Sequence, residues 1–303
     1  LDNHFVNSLS LQQQSDTNVG LNVSTGIDSN LMISYLNRIN KGQKKINANS
    51  YFFSDPEFDS RNDLNEMSVF YGWKINKYEI TYQDIINKFE NVFISQDEPY
   101  PGVVTIAKDI LIEKAYSPDC KVILEGQGGD DIAAGYKYVF PLYLLDLLKK
   151  LKIFKSLREV HNFTRVEGLS LSQFFNFFSN SLKGYFVGGV SADGTKSYQN
   201  EILKIDKNEI KKLYKNILFK TERHKTYLKK ILYRDLFFCK LSRILRSCDR
   251  ASMAHGKELR VPFLDQNLVK YFFSIKNEKL INAGKLRNYY KNFASNKFPN
   301  NKF

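Results

Sequence analysis

Short apolar strands that alternate with amphipathic helices predict an α/β fold with a doubly wound parallel sheet in the first half of this 303-residue chain. Apolar runs of roughly 4–8 residues precede longer segments with apolar residues at helical spacing. From Tyr138 onward the pattern predicts helices without strands, interrupted by a Phe- and Ser-rich insert at residues 156–200. We therefore predict an α/β core over about residues 15–137 and a helical part over about residues 138–303.

The individual elements follow from apolar spacing and from turn-forming residues. A polar helix over residues 1–14 leads through a turn into a strand at Val19–Val23. The pattern then predicts helices over residues 28–40, 64–71, 82–93 and 103–116, and strands over residues 46–53, 74–80 and 121–124. Residues 201–291 are predicted to be mostly helical, with no strands.

Composition narrows the classes of function. The net charge is +13, but the Lys and Arg residues form neither a dense basic arm nor an aromatic RNA-binding motif, so we expect no nucleic-acid partner. A basic surface would still attract anionic substrates such as nucleotides. No apolar run approaches the roughly 18 residues of a membrane helix, so we expect no membrane association and a cytoplasmic protein. The three cysteines lack C-x-x-C spacing, which excludes a recognisable disulfide framework or zinc site.

The segment Val19–Asn30, VGLNVSTGIDSN, is a candidate anion site. An apolar strand runs through a polar turn into a helix, whose first N–H groups have no intrahelical partner. The turn offers hydroxyl donors, a glycine where backbone can approach a ligand, and a carboxylate that could hold a metal: Ser24, Thr25, Ser29, Gly26 and Asp28. The alternative is a simple helix cap with glycine in the turn. The spacing of a Walker A loop is absent.

A second polar loop, EGQGGDD at Glu125–Asp131, directly follows a predicted buried strand. Its glycines allow left-handed backbone and close approach to a ligand. The adjacent carboxylates Asp130 and Asp131 would suit Mg²⁺, which prefers a few hard oxygen ligands. The alternative is a tight turn with solvated acids. Because ligands of doubly wound sheets lie at the carboxyl ends of the strands, the two loops would face each other across one crevice.

The segment Ser247–Asp265, SCDRASMAHGKELRVPFLD, resembles the R-x-S-M-A-x-x-x-E-x-R-V-P-F-L-D signature of the asparagine synthetase family. Three further motifs of that family resemble stretches at residues 15–29, 97–100 and 125–131, in the same order, with a weaker match near Lys285. The resemblance covers nearly the whole chain from Ser15. It implies an ATP-pyrophosphatase fold of the adenine nucleotide α-hydrolase-like (PP-loop) type.

The resemblance also implies a reaction. A substrate carboxylate attacks the α-phosphorus of ATP, giving an acyl-adenylate and Mg-pyrophosphate, and ammonia then displaces AMP to leave an amide. The implied cofactors are ATP and Mg²⁺. Aspartate is the default carboxylate, with asparagine as the product and glutamine-derived or free ammonia as the nitrogen source.

Residue roles are carried over from the same resemblance. The pyrophosphate would be held by Ser24, Thr25, Gly26 and Ser29, and Mg²⁺ by Asp28 and Asp130. The nucleotide would contact Val23, Phe53, Glu125 and Gly126. The catalytic candidates are Gln127, Lys285 and Glu98, of which Lys285 would steady phosphate charge. Arg260 and Asp265 would brace the site or touch substrate, and His255 would be a positioning residue.

Two positions depart from the family pattern. Thr25 replaces the first glycine of S-G-G, and Gln127 stands where asparagine-forming members usually carry the Glu or Asp that helps to form the acyl-adenylate. Glutamine can form hydrogen bonds but cannot act as a base. Glu125 offers a carboxylate two positions away. The alternatives are therefore amidation of another carboxylate, such as a uronic-acid sugar in surface polysaccharide synthesis or a peptide carboxylate, and a catalytically silent nucleotide-binding module.

Family members carry an N-terminal glutaminase domain whose first cysteine is the nucleophile, and no cysteine of this chain stands at that place. The chain begins Leu1-Asp2 without methionine. We therefore expect it to be the synthetase half of a longer protein that normally carries the glutaminase on the same chain. The resemblance also admits a homodimer.

Overall fold

The computed structural model describes residues 1–41, 46–55, 57–186 and 207–298, and it confirms the predicted α/β fold. In these ranges five parallel strands form a sheet in the order β3-β2-β1-β4-β5. The strands are β1 (Asn18–Asn22), β2 (Asn47–Phe53), β3 (Ile75–Ile80), β4 (Cys120–Leu124) and β5 (Glu258–Arg260). The strand order reverses beside β1, because β2 and β3 extend the sheet in one direction and β4 in the other. This reversal is the doubly wound arrangement.

Helices connect and follow these strands. In the first part of the chain they are α1 (Asp2–Gln12), α2 (Ile27–Ile39), α3 (Arg61–Tyr71), α4 (Tyr82–Gln96), α5 (Val103–Ala115) and α6 (Gly129–Ala133). The later ones are α7 (Phe140–Lys149), α8 (Ile153–Glu167), α9 (Leu171–Phe186), α10 (Lys207–Thr221), α11 (Tyr227–Phe237), α12 (Lys240–Met253), α13 (Gln266–Ser274), α14 (Asn277–Leu280) and α15 (Asn288–Lys297). None of the helices described here is both long and apolar enough to cross a membrane.

The strand β5 corrects the expectation that residues 201–291 contain no strand. It pairs in parallel with β4, and Leu259 lies opposite Ile123. Three residues are too few to show the alternation that identifies a strand in a sequence, so pairing with a buried neighbour decides the conformation. Residues 187–200 of the predicted insert and 201–206 of the predicted helical region lie outside the described residues.

The central strands are covered on both faces, as is usual in parallel sheets. Leu21 of β1 and Ile123 and Leu124 of β4 have no exposed surface. On α2, Leu31 and Tyr35 are equally buried, which agrees with their helical spacing on one face. The loops that follow β1 and β4 therefore start from strand ends that are buried in the core.

The chain divides into two compact units. Unit 1 consists of Leu1–Gly129, Arg243–Tyr271 and Ala294–Phe303, and unit 2 of Asp130–Ser242 and Phe272–Phe293. Unit 1 contains the five strands, whereas the described part of unit 2 is mainly helical. The boundary predicted near residue 137 and the limits of the insert stay predictions.

Aromatic side chains form much of the interior of unit 2. The rings of Phe140 and Phe163 stack with their centroids 3.9 Å apart, and Phe174 packs edge-on against Phe163. The next residue, Phe175, is 64% exposed. The predicted Phe-rich insert therefore contributes Phe174 to the core through α9 but leaves Phe175 on the surface.

Candidate active site

The turn between β1 and α2 lies at the carboxyl end of the central strand. Val23 extends the sheet by donating its N–H to the carbonyl of Asn49 at 2.9 Å. Two serines then close the turn, because Ser29 Oγ accepts the N–H of Ser24 at 2.9 Å and lies 3.1 Å from Ser24 Oγ. Thr25 at the tip is exposed. The two serine hydroxyls thus stabilise the conformation of the turn through contacts within the chain.

Gly26 is the N-cap of α2, which therefore begins without a side-chain cap. Its backbone, at φ −70° and ψ 160°, is one that any residue adopts. A Cβ atom there would meet only Ser24 Oγ, at 3.4 Å. The glycine is not required by strain. Its effect is to leave open the approach to the first turn of α2, and the N-terminal end of a helix attracts anions.

The two polar loops meet at Asp28, within unit 1. A Cβ atom on Gly129 would lie 2.6 Å from Asp28 Oδ1, and one on Gly126 would lie 3.2 Å from Asp28 Cβ. Gly128 has φ +95°, and a Cβ atom on it would lie 2.3 Å from Leu264 Cδ2. Glycines are therefore needed for the loop after β4 to pass against the start of α2 and against Leu264.

Glu125 is buried, and its carboxylate has several partners. It forms an ion pair with Lys108 of α5 and accepts hydrogen bonds from Asn22 Nδ2 at 3.0 Å and from Gln127 Nε2 at 3.1 Å. Burial acts to raise the pKa of Glu125, but Lys108 and the amide donors outweigh burial and hold that pKa below its usual value. Lys108 Nζ also donates to Cys248 Sγ at 3.0 Å. Glu125 is thus an ionised carboxylate whose oxygens are already engaged.

The side chain of Gln127 is oriented by Glu125. An ionised carboxylate only accepts hydrogen bonds, so the NH₂ group of Gln127 must make this contact. The carbonyl oxygen of the same amide is then directed away from Glu125. Gln127, which is half-buried, therefore offers a fixed hydrogen-bond acceptor but no group that can take up a proton.

Phe53 is the last residue of β2 and lies opposite Ile80 of β3. Its half-buried ring packs edge-on against Tyr51, with ring centroids 5.6 Å apart, and against a cluster that includes Ile106. The ring therefore contributes to the core. The strand end that carries it lies on the same edge of the sheet as the ends of β1 and β4, because the strands are parallel.

Glu98 lies in the exposed loop after α4. Its carboxylate pairs with Arg246 Nη1 of α12 at 2.7 Å, and Arg246 Nη2 donates to the carbonyl of Gln96 at 2.8 Å. Among the described residues, no hydrogen bond or ion pair joins Glu98 to the turn after β1 or to the glycine loop. The structure thus ties Glu98 to α12 and does not connect it with the other candidates.

The two acidic residues that end the glycine loop have different environments within unit 2. Asp130 Oδ1 pairs with Arg287 Nη1 at 2.7 Å. Asp131 is buried, and burial is the largest cause that raises its pKa to about 6, with Asp130 and Asp235 adding to it. Lys240 and a hydrogen bond from Tyr136 oppose this shift. The two neighbouring carboxylates therefore differ, because Asp130 is held in an ion pair whereas Asp131 is buried with a raised pKa.

Lys285 has an exposed side chain on a rigid turn. Asn282 and Lys285 exchange backbone hydrogen bonds of 3.2 and 3.0 Å. The buried carboxylate of Glu159 on α8 accepts the N–H of Gly284 at 2.8 Å, and Gly284 has φ +71° with its Cα against the backbone of Phe163. The backbone that carries Lys285 is thus fixed while its ammonium group stays accessible.

Residues of the Ser247–Asp265 signature brace the fold. Arg260 Nη1 donates to the carbonyls of Gln12 and Gln14 at 2.9 and 2.6 Å, which ties α1 to β5. Asp265 Oδ1 accepts the N–H of Asn267 at 2.9 Å at the start of α13. His255 Nε2 lies 3.1 Å from Asp109 Oδ2 on α5. Of the two roles left open for Arg260 and Asp265, bracing is the one that these contacts support.

The carboxylates of the two polar loops are the candidate ligands for Mg²⁺. In the part of the chain that the structure describes, no group of three or more His, Cys, Asp or Glu side chains is placed to hold a metal ion. Mg²⁺ does not need such a group, because one or two carboxylates usually hold it together with substrate phosphates and water. Within unit 1, Asp28 fits this role at the anion-attracting start of α2. Within unit 2, Asp130 is a carboxylate beside Arg287.

The partners that hold these residues were not predicted from the sequence. They are Lys108, Asn22 and Cys248 around Glu125, Arg246 beside Glu98, Arg287 beside Asp130, and Glu159 beneath the turn at Lys285. One signal was available. A buried carboxylate needs a partner of opposite charge, and Glu125 directly follows a buried strand. Lys108 lies among apolar residues in the segment VVTIAKDILIEKA, which marks it as a cation that could be buried with Glu125.

Comparison with known proteins gives three matches. The model of a family described as asparagine synthase matches residues 1–302. An asparagine synthetase [glutamine-hydrolyzing] 1 of Bacillus subtilis (strain 168) is 23% identical over 269 residues, which cover 86% of this chain and 40% of that protein. The amidase chry2 of Gibberella zeae is 24% identical over an alignment of 303 positions, which covers 88% of this chain and 44% of that protein. The chain thus spans less than half the length of either relative.

Proposed function

The chain belongs to the asparagine synthase family, and on this premise we propose that it is the synthetase part of an ATP-dependent amide-forming ligase. A carboxylate attacks the α-phosphorus of ATP, and ammonia then displaces AMP from the acyl-adenylate. The observation that carries the proposal is the meeting of the two polar loops at Asp28, where Gly129 leaves room for the carboxylate at the uncapped start of α2. A nucleotide phosphate chain with Mg²⁺ suits that chemistry.

The roles proposed for the turn follow from its donors. The first N–H groups of α2 and the hydroxyls of Ser24, Thr25 and Ser29 bind the pyrophosphate that leaves. When bound, Mg²⁺ neutralises charge on the phosphates, and Asp28 and Asp130 hold it. Lys285 contributes a further positive charge, and the exposed position of its side chain supports that role.

Different observations favour two candidate classes of carboxylate substrate. Aspartate is favoured by the signature and by the name of the Bacillus relative, an asparagine synthetase. Another carboxylate, such as that of a uronic-acid sugar or a peptide, is favoured by Gln127, because the amide bound to ionised Glu125 supplies no general base. Glu125 does not replace that base, since Lys108, Asn22 and Gln127 already occupy its oxygens.

The test is AMP and pyrophosphate release by the complete protein with ATP, Mg²⁺, ammonia and one carboxylate at a time. We expect release with aspartate and at least a ~100-fold loss in Asp28→Asn, in line with the size of effects from electrostatic groups in active sites. Asp16→Asn removes the same charge from an exposed residue before β1 and serves as the control. Release with a uronate alone would identify the second substrate. ATP binding without AMP formation from any carboxylate would indicate a silent nucleotide-binding module.

A further inference from the structure

A pocket of about 600 Å³ opens in unit 2 beside the start of α11. Six cationic side chains line it: Lys150, Lys152, Arg223, Lys225, Lys229 and Lys276. The pocket also contains Glu278, whose carboxylate is shared by Lys152 and Lys155 at 2.6 and 2.8 Å. In the described ranges of the chain, the other five cations form no ion pair. The pocket therefore carries a large excess of positive charge.

Lys229 differs from the solvated lysines of this basic protein, because it is only 8% exposed. Its ammonium group donates to the carbonyl of Phe272 at 2.9 Å and lies 5.4 Å from the centre of the Phe273 ring. Burial lowers the pKa of Lys229 to about 7. A buried ammonium without a counter-ion is costly, and an anion bound in the pocket would offset that cost and favour the charged form of Lys229.

His224 provides a second, independent observation. Its Nε2 atom is buried and has no hydrogen-bond partner among the described residues. The ring is held by Tyr233, with centroids 4.7 Å apart, and by Phe273, at 5.5 Å. Buried polar atoms are nearly always paired, and the residue that carries this unpaired atom is one of those that line the pocket.

Arg223 adds a group suited to phosphate. Its guanidinium carbon lies 3.9 Å from the centre of the Tyr233 ring, so the ring orients the planar group and leaves the N–H edges for other partners. Guanidinium groups bind phosphate through two parallel hydrogen bonds.

The N-terminal end of α11 would not bind the anion, because its first N–H groups already donate hydrogen bonds within the chain. Asp146 accepts those of Tyr227 and Leu228 at 2.7 and 3.0 Å, and Thr226 Oγ1 accepts that of Lys229 at 3.3 Å. Any anion in the pocket would therefore be bound by side chains.

We propose that this pocket binds the phosphate group of a small-molecule ligand, separately from the proposed ATP-dependent reaction. The volume falls within the roughly 300–1,000 Å³ of small-molecule sites. A nucleic acid would instead need an extended basic stripe along one face. Convergent cations, a stacked arginine and an unpaired histidine suit one compact anion.

Calorimetric titration of the full chain with inorganic pyrophosphate tests the proposal. We expect saturable binding that weakens at least about tenfold in Arg223→Gln/Lys225→Gln, because this double variant removes two charged hydrogen-bond donors from the pocket. The control is Lys212→Gln/Lys215→Gln, which removes the same charge from exposed residues of α10 outside the pocket. It should change the affinity less than about twofold.

Three results would overturn the proposal. One is the absence of saturable binding, and another is equal weakening by both double variants, which would mean diffuse attraction to a basic surface. The third is binding that survives Arg223→Gln/Lys225→Gln but is lost in Ser24→Ala/Ser29→Ala, which would place pyrophosphate at the turn after β1. Lys229→Met is a separate check. It should weaken binding several-fold with an unchanged circular dichroism spectrum, and unchanged affinity would contradict the role of the buried ammonium.

Discussion

Glu125 of unit 1 and Lys229 of unit 2 are both buried charged side chains, but only Glu125 has a partner of opposite charge. Glu125 has Lys108, Asn22 and Gln127 as partners, and its pKa stays low although it is buried. Lys229 has a carbonyl and an aromatic ring, and its pKa falls to about 7. Burial alone disfavours both charges, so the partners decide which of them persists. The charge on Glu125 is a structural part of the glycine loop, whereas we assign the charge on Lys229 to a ligand.

Removal of Lys108, the cation that pairs with Glu125 in unit 1, should have the largest effect on stability. In Lys108→Met, Glu125 remains buried without its ion pair, and we expect a loss of about 3–5 kcal/mol in the free energy of unfolding. Urea denaturation measures it. The loss should shrink at low pH, because protonation of Glu125 removes the unpaired charge.

Two controls sharpen that result. Lys114 lies on the same helix, α5, and pairs with Asp84 at 3.2 Å on the surface, so Lys114→Met should cost less than about 1 kcal/mol. The double variant Lys108→Met/Glu125→Gln should regain more than half of the loss. An equal cost for Lys108→Met and Lys114→Met would contradict a paired buried anion.

Removal of the buried ammonium group of Lys229 in unit 2 should stabilise the protein at neutral and acidic pH. The folded pKa of Lys229 is about 7 and the ordinary value is 10.5, so between these values the unfolded chain holds a proton that the folded chain lacks. The penalty is complete below pH 7 and disappears as the pH rises toward 10.5. The stability gained in Lys229→Met should therefore be about 2–3 kcal/mol larger at pH 6 than at pH 9.

Urea denaturation at the two pH values checks this prediction, with Lys212→Met on α10 as the control for an exposed lysine. A gain that does not depend on pH would mean that Lys229 is charged in the folded protein throughout. The comparison with Glu125 would then fail.

Gly128→Ala should destabilise unit 1 by about 2–3 kcal/mol, because it combines a strained φ of +95° with a clash against Leu264. Gly168, at the end of α8 in unit 2, has φ +64° and no atom within 4 Å of a built Cβ, so Gly168→Ala should cost only about 1 kcal/mol. Thermal or urea unfolding of both variants separates strain from crowding. Equal costs would show that Leu264 moves aside freely.

Gln127→Glu should have the smallest effect on stability, a loss of about 1 kcal/mol in the free energy of unfolding. The substitution places a second carboxylate beside Glu125, and Lys108 offsets part of the repulsion between the two. The exchange Glu125→Gln/Gln127→Glu keeps one carboxylate near Lys108 and should restore most of that stability. Urea denaturation of the three proteins tests the coupling between these positions. Additive effects would mean that Glu125 does not orient the amide of Gln127.

The sequence by itself determined the fold class and predicted the two loops of the candidate site. The alternation of apolar strands and helices predicted the parallel sheet, because burial on both faces requires such a pattern. The polar loops after Val23 and Leu124 stood out because polar residues directly follow buried strands. The order of the four motifs along the chain was sufficient to indicate the family.

Only the tertiary structure decided how the side chains act. The short strand β5 exists through pairing with β4, and Glu125 is ionised because Lys108, seventeen positions earlier in the chain, lies against it. Likewise, Asp130 meets Arg287 and Lys229 loses its solvent through packing between distant segments. Sequence patterns report periods along one element, whereas protonation and orientation depend on partners that folding brings together.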